Sequence, residues 1–286
     1  MNSLIPNNSY RAMVDDATAI LYDVSESPRI DAEVLMQHTL QQPLAWLIAY
    51  GDSVPSKEHV LNFYQHIEKR QQGQPIAYIT GHKEFWSLDL HINESVLIPR
   101  PDTEVLVDHA LTKLNSDSEY QILDLGTGSG AIALSLAKEL PQANVLATDS
   151  QKAALNIAKL NANHHHLQNV QFLESHWFDN IPSKKFDLIA SNPPYIEPNA
   201  IHLKQGDLRF EPVTALIGAE DGLGDLKDII TNSVHYLKNK GHLIVEHGYN
   251  QQSDVQNLFN QTGFKEVQTF PDLNDLPRCT IGKWLS

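Results

Sequence analysis

The sequence has little of several things, and each scarcity excludes something. With one cysteine, Cys279, in 286 residues, no disulfide forms within the chain, and a reducing cytoplasm is the expected compartment. That cysteine reads as a small buried hydrophobe rather than a reactive thiol. Long apolar runs are missing: PLAWLIAY, from Pro43, falls well short of the about 20 residues a membrane span requires. The opening MNSLIPNNSY has neither a basic region nor an apolar core, so no signal peptide is expected. Positive charge is scarce, Lys+Arg 21 against Asp+Glu 35 for a formal charge of −14. That balance, with no Lys/Arg run, argues against a phosphate backbone as partner. Metal-site spacings are also missing. The run His164 to His166 has no Cys partner and no HExxH pattern, so it reads as a solvated turn and no metal is expected.

What is present is globular. Apolar residues at 41% and charged residues at 20% supply a sizeable core, and the length suits two domains. From about Tyr10 to Gln72 apolar residues recur at spacings of three and four, as in RAMVDDATAILYDV and DAEVLMQHTL, which predicts a helical bundle over residues 1–74. Within it KEHVLNFYQHIEKRQQG is a helix stopped at Gly73. In residues 75–100 the pattern changes: Phe85, Leu88, Leu90 and Ile92 fall largely in alternation, a hairpin connector. Pro99 and Pro101 then stiffen the chain before Asp102 or Thr103 caps the helix DTEVLVDHALTKL.

Residues 101–286 form the larger domain. From Tyr120 onward, strands and helices alternate. QILDL, NVLATD, VQFLE, FDLIAS and GHLIVEHG read as strands; SGAIALSLAKEL, QKAALNIAKLNAN, DLKDIITNSVHYL and SDVQNLFNQTG read as helices. Two further strands, FKEVQTF and RCTIGKWL, close the chain and can pair as an antiparallel edge. The alternation predicts an α/β fold with a mostly parallel sheet, helices on both faces, and ligands at the carboxyl ends of the strands.

Three motifs fall at those ends. In DLGTGSG, Gly126, Gly128 and Gly130, with Thr127 and Ser129 between them, allow a tight turn and close backbone approach to a ligand. By itself the loop suits a dinucleotide, a nucleoside cofactor or a plain turn. Asp149 ends the next strand at the distance where a carboxylate accepts from ribose hydroxyls, though capping the following helix is the competing use. The spacing is not G-x-G-x-x-G, since the third glycine comes one residue early. It resembles the S-adenosylmethionine loop of class I, Rossmann-like methyltransferases.

SNPPY, at the end of FDLIAS, is the third. A Pro-Pro turn requires neither Asn192 before it nor Tyr195 after it, so a structural turn alone leaves both unexplained. Methylating an NH2 group on a planar π-system requires turning a delocalised lone pair toward the methyl carbon. The Asn192 side-chain oxygen and the Pro193 carbonyl can each accept one N–H and hold the nitrogen in place. Pro194 keeps the turn rigid, and Tyr195 offers a face for stacking. A hydroxyl substrate cannot satisfy both acceptors.

NPPY after a strand is shared by methyltransferases acting on adenine in nucleic acid and on glutamine in protein. The stretches ITGHKEFWSLDLHINESVLIPRPDTEVLV, ILDLGTGSGAIALSLAKE, SNPPYI, GDLRFEPVTALIGAEDGL and LIVEHGYNQ narrow the choice, and with them nearly the whole chain resembles the bacterial PrmC/HemK family of release factor glutamine N5-methyltransferases. The resemblance implies S-adenosylmethionine against Gly126 to Gly130, Asp149 on its ribose and Trp177 beside its adenine. It implies Asn192 between cofactor and substrate, and Asn192 to Tyr195 around the glutamine of a Gly-Gly-Gln motif in class I release factors. The helical domain becomes a substrate-recognition domain. Arg100 is implied to shape a loop over the cofactor and Glu211 a loop beside the substrate, while Glu246 either joins them or merely ends a strand. Two departures from the family's pattern stand out: His176 replaces an acidic residue before Trp177, and Phe85, Trp86, Ser87 stand where the family usually has Phe-Gly near the connector. An adenine methyltransferase sharing the cage fits poorly with the charge of −14, and a binding module without turnover fits poorly with three intact motifs.

Overall fold

The computed structural model describes residues 9–115, 118–204 and 206–286. MNSLIPNN, which carries most of the signal-peptide expectation, lies outside them. Two compact units emerge, one of the described residues in Met1–Gly81 and Lys204–Phe210, the other His82–Leu203 and Glu211–Ser286.

The first unit is helical, as the spacing of its apolar residues requires. Its helices are α1 (Tyr10–Ile20), α2 (Pro28–Leu40), α3 (Leu44–Tyr50), α4 (Lys57–Gln71) and the short α5 (Ile76–Thr80). Ser9 and Ser56 start α1 and α4 by accepting the backbone N–H of Ala12 (3.3 Å) and His59 (3.1 Å). The apolar stripes meet in one core of Met13, Val14, Ala17, Leu35, Met36 and Phe63. Beside it the Arg70 guanidinium donates to Asp31 at 2.7 Å and to Asp207 at 3.2 Å. Arg209 donates to the Gln72 carbonyl at 3.3 Å. Gly73 follows α4 at φ 92°, where a Cβ would lie 1.6 Å from Arg209. The left-handed turn favours a glycine there, and the guanidinium lies over it.

The second unit begins with the hairpin β1 (His82–Phe85) and β2 (Leu88–His91), closed by Trp86 and Ser87 at φ 51° and 56°. Two left-handed residues in a two-residue turn match the twist of the flanking strands. The hairpin groups with this unit rather than standing apart as a connector, because side chains of the unit grip it. Asn161 bonds both the N–H and the carbonyl of His91, and Glu104 accepts the Trp86 N–H. Helix α6 (Glu104–Leu111) follows a single 3-10 turn, Pro101–Thr103. Neither Asp102 nor Thr103 caps it. Thr103, at φ −68° and ψ −20°, is already helical, whereas a capping residue is extended.

The remaining elements alternate as expected: β3 (Gln121–Leu125), α7 (Ala131–Glu139), β4 (Asn144–Asp149), α8 (Lys152–His164), β5 (Val170–Glu174) and β6 (Phe186–Ser191). After the single turns α9 (Val213–Leu216) and α10 (Ala219–Gly222) come α11 (Gly224–Ser233), β7 (Leu237–Glu246), α12 (Gln252–Thr262), β8 (Lys265–Pro271) and β9 (Pro277–Lys283). They form one seven-stranded sheet in the order β5-β4-β3-β6-β7-β9-β8. The first five strands are parallel, β9 is antiparallel to β7, and β8 to β9. The last two strands therefore pair as expected, with β9 turned inward against β7. Helix α11 ends four residues before the expected Leu237, because Leu237 already pairs with Phe186 of β6. The His164–His166 run ends α8 rather than lying wholly in a loop, and His165 Nε2 bonds the Asp89 carbonyl at 2.8 Å. Leu123, Ile189, Leu226, Leu243, Val255 and Phe259 are among the buried side chains of the core. Cys279 is buried there too. Among the described residues no helix is long and apolar enough to cross a membrane, and no cluster of His, Cys, Asp and Glu is placed to hold a metal.

Candidate active site

Strands β5, β4, β3 and β6 lie side by side and parallel, so their carboxyl ends open on one edge of the sheet. Each delivers an expected group there: Trp177 after β5, Asp149 at the end of β4, the glycine loop after β3, and Asn192 after β6. The edge borders a cavity of about 600 Å³ lined by Gly126, Thr127, Gly128, Ser129, Asp149, Trp177, Asn192 and Pro194. Arg100, Thr103, His176 and Asp225 contribute further walls. Gly130, Pro193 and Tyr195 are not part of the lining.

The glycine loop is built for close approach. Gly126, Gly128 and Gly130 have φ of 73°, 55° and 88°. At Gly126 a Cβ would meet the Trp177 ring at 3.3 Å, so a side chain there is excluded by both backbone and neighbour. Gly130 serves the fold instead, opening α7 with Leu134 and Ala158 packed against its Cα. Asp124, at the end of β3, is fully buried and accepts from the Thr127 hydroxyl at 2.7 Å, while its Oδ1 has no partner. Burial pushes its carboxyl up to about 7.

Asp149 does not cap α8, whose cap position is Gln151. Oδ1 accepts the Gln151 N–H at 2.8 Å and steadies the entry to α8, while Oδ2 accepts the Gly128 N–H at 2.9 Å. Each oxygen keeps a lone pair for a ligand hydroxyl. Burial raises its carboxyl above the ordinary range, against the backbone N–H groups that favour the charge. Trp177 likewise packs on the core and lines the cavity. Its backbone is left-handed at φ 40°, and its indole N–H donates to Asp225 Oδ1 at 3.1 Å. The other Asp225 oxygen accepts the Ala219 N–H at 3.2 Å.

At the NPPY turn the expected cage is partly rearranged. The Asn192 amide lines the cavity and donates through Nδ2 to the Thr103 hydroxyl at 3.3 Å. Pro193 is buried at the turn. Tyr195 does not present its ring to the cavity. It packs on the core, and its hydroxyl donates to Glu246 Oε1 at 3.0 Å, so it anchors the turn from behind. Burial and the facing Glu246 carboxylate raise the phenol far above its ordinary value. Glu246, at the end of β7, is only 2% exposed. Glu211 joins two of the stretches that carry the resemblance: Oε2 accepts the Ile98 N–H at 3.0 Å, and Oε1 pairs with Arg100. Asp124 and Asp225 had no part in the sequence expectations for the site, and Thr103 figured there only as a candidate helix cap. Asp124 had a signal, a carboxylate inside an apolar strand, but Asp225 and Thr103 meet the site only through the folded chain.

Comparison with known proteins shows which family the chain resembles. Residues 101–208 match the family model "Methyltransferase small domain", and residues 12–81 match "PrmC N-terminal domain". A release factor glutamine methyltransferase of Aliivibrio fischeri is 45% identical over 262 residues, 91% of this chain and 92% of that protein. The Escherichia coli protein of the same description is 42% identical over 260 residues, 91% of this chain and 94% of that one. Among solved structures, a Pyrococcus furiosus methyltransferase superposes with a TM-score of 0.55 at 15% identity, covering 78% of this chain and 99% of its own. A Thermus thermophilus 16S rRNA methyltransferase, in complex with AdoMet and guanosine, gives 0.52 at 17% identity, covering 71% of this chain and 49% of its own. At such identities these two structures speak to the fold alone.

Proposed function

The chain belongs to the family of release factor glutamine methyltransferases, and from that premise we propose how its own residues carry out the reaction and on what partner. The enzyme transfers a methyl group from S-adenosyl-L-methionine to a glutamine side-chain amide of a release factor. The partners we assign are class I peptide chain release factors, with the glutamine of the Gly-Gly-Gln motif as acceptor.

The residues fit the cofactor. A cavity of about 600 Å³ is of nucleoside size. The positive-φ glycine loop, the free lone pairs of Asp149 and the indole of Trp177 offer, in turn, close backbone approach, acceptors for ribose hydroxyls and an apolar ring for adenine. Bound there, S-adenosylmethionine supplies an electrophilic methyl group on sulfur. Asn192 Oδ1 takes an amide proton of the substrate glutamine and orients its nitrogen, while Pro193, buried and outside the cavity lining, is left without the acceptor role expected of it. Pro194 fixes the turn, and Tyr195 holds it through Glu246. Because positioning carries the rate, no side chain is assigned as general base: the nitrogen is strongly acidic once methylated and gives its surplus proton to water, and the sulfur keeps the bonding pair in S-adenosyl-L-homocysteine.

The observation that carries the reading is the placement of Asn192 on the same cavity wall system as the glycine loop and Asp149. Asn192→Ala should therefore lose methyl transfer to release factor by at least about a hundredfold while still binding cofactor measurably. Wild-type turnover in that variant would remove Asn192 from the mechanism. The helical unit we assign to recognition of the release factor. Its support is the family match over 12–81 and a surface with Ile48, Val54 and Leu61 exposed. The net charge of −14 disfavours nucleic acid as substrate. A partner in translation and a single buried cysteine favour the cytoplasm.

A further inference from the structure

We propose that Asp225 is a positioning residue for methyl transfer: one carboxylate oxygen holds the Trp177 indole on the cofactor side of the cavity, and the other holds the segment that backs the NPPY turn. The inference deepens the reading above and rests on the places given there to Trp177 and Asn192. It adds the group that fixes the two walls relative to each other.

The Trp177 wall needs such a group. Its backbone is left-handed at φ 40°, a conformation that an L-residue keeps only where its surroundings enforce it. Ser175 Oγ donates to the Trp177 carbonyl at 3.0 Å and accepts the Asn180 N–H at 3.0 Å. Those bonds hold the backbone but not the ring. An indole has one N–H and no acceptor, so a single bond sets how the ring faces the glycine loop. That bond goes to Asp225 Oδ1 at 3.1 Å. The ring then lies so near the loop that a Cβ on Gly126 would meet it at 3.3 Å.

The substrate wall is tied to the same side chain. Asp225 Oδ2 accepts the Ala219 N–H at 3.2 Å, and Ala219 belongs to a segment laid directly behind the NPPY turn. Ile196 donates to the Leu216 carbonyl at 3.0 Å, and Gly218 donates back to the Ile196 carbonyl at 3.1 Å. Gly218 and Gly222 stand against the Pro194 and Tyr195 carbonyls, where a Cβ would come within 2.5 and 2.4 Å. Gln251 Nε2 bonds the carbonyls of Tyr195 and Gly222 at 3.1 and 3.3 Å. Between the two glycines, Glu220 and Asp221 are left-handed at φ 46° and 56°, so this backbone too depends on what holds it.

Asp225 is suited to hold both. It lies in the first turn of α11, whose Leu226, Ile229 and Ile230 are fully buried, so the core fixes its backbone. A carboxylate offers one oxygen to each of the two N–H donors, whereas an asparagine would set its NH2 against one of them. Ring and turn are therefore ordered by the protein itself, and neither cofactor nor substrate has to supply that ordering.

Calorimetry of cofactor binding and steady-state kinetics on release factor test this. Asp225→Ala should raise the cofactor Kd roughly tenfold and, at saturating cofactor, lower kcat roughly three- to tenfold. Trp177→Phe keeps a ring but removes the N–H, and should raise Kd to at least that degree. Adding Asp225→Ala to Trp177→Phe should leave Kd within about twofold of the Trp177→Phe value and still lower kcat, because only the cofactor arm runs through the indole. Asp225→Asn, equal in size, keeps one of the two bonds, so its combined loss in Kd and kcat should be smaller than that of Asp225→Ala but at least about threefold. It carries the test if Asp225→Ala fails to fold. A merely structural role would lower the melting temperature and let the Kd losses at Asp225 and Trp177 multiply, and that result overturns the proposal. So does a wild-type Kd or a wild-type kcat in Asp225→Ala, or wild-type values of both in Asp225→Asn. Wild-type affinity in Trp177→Phe, or full activity in Asn192→Ala, sinks the reading of the site itself. Losses in both of those variants beside an unaffected Asp225→Ala sink only the tie.

Discussion

Asp149 illustrates how one carboxylate ties two segments together and still faces a cavity. It steadies the start of α8 through Gln151 and the glycine loop through Gly128, and it still lines the cavity. Asp149→Ala should weaken cofactor binding by roughly ten- to hundredfold in calorimetry, and an unchanged affinity would remove it from the site. Asp124 is a different case. Its folded carboxyl titrates near 7 against an ordinary value of 3.8, so the folded state holds the proton more tightly than the unfolded one. Its favourable contribution is complete below about 4 and is lost as pH rises through about 7. Asp124→Asn keeps an acceptor for Thr127 and abolishes the titration. The melting temperature of the variant should therefore gain on that of the native protein as pH is raised from about 4 to about 8. A constant difference across that range would contradict the assignment. At this scale the glycine loop, Asp149 and Asn192 were legible because their motifs sit at predicted strand ends. The true orientation of Tyr195 was not, because nothing local to NPPY reveals that Glu246 lies behind it.

Among the elements, β3 to β6 match the sequence pattern residue for residue; β3 and β6 are nearly all buried and read as apolar runs bounded by turn residues, whereas β5, at the sheet edge, buries none of its five residues. The start of α6 and the length of β7 depend on neighbours instead, Pro101 in one case and Phe186 in the other. In the hairpin, Trp86-Ser87 places two L-residues at positive φ, and hydrogen bonds surround them. Glu84 accepts the Ser87 N–H at 2.7 Å, Glu104 the Trp86 N–H at 2.9 Å, and Glu139 the indole N–H at 3.0 Å. Ser87→Gly removes the backbone penalty and leaves those bonds in place, so thermal or urea unfolding should show a gain of roughly 0.5–1 kcal/mol. A loss of stability would mean that the Ser87 side chain does more than its contacts show. The Arg100 and Glu211 pair is the element-level reason that LIPRPDTE and RFEP occur in one chain: they are two sides of one buried junction.

At the scale of the molecule, the helical unit and the α/β unit were both legible from their periodicities of 3.6 and of alternating strand and helix. The return of Lys204–Phe210 to the helical unit was not. It is made by Arg70 reaching Asp207 and by Arg209 reaching Gln72, contacts between residues more than a hundred positions apart. No local pattern encodes such a crossing. It splits the stretch GDLRFEP between units, with Arg209 and Phe210 on the helical side and Glu211 at the junction with Arg100. The acidic charge of the whole chain and the exposed apolar residues of its helical unit favour a protein substrate over a phosphate backbone. The most direct test is mass spectrometry of the Gly-Gly-Gln peptide of a class I release factor, incubated with S-adenosylmethionine with and without this protein. The account predicts that the protein adds the mass of one methyl group in place of hydrogen, located on the glutamine side-chain amide. An unmodified glutamine, with methyl label appearing in nucleic acid instead, would contradict it.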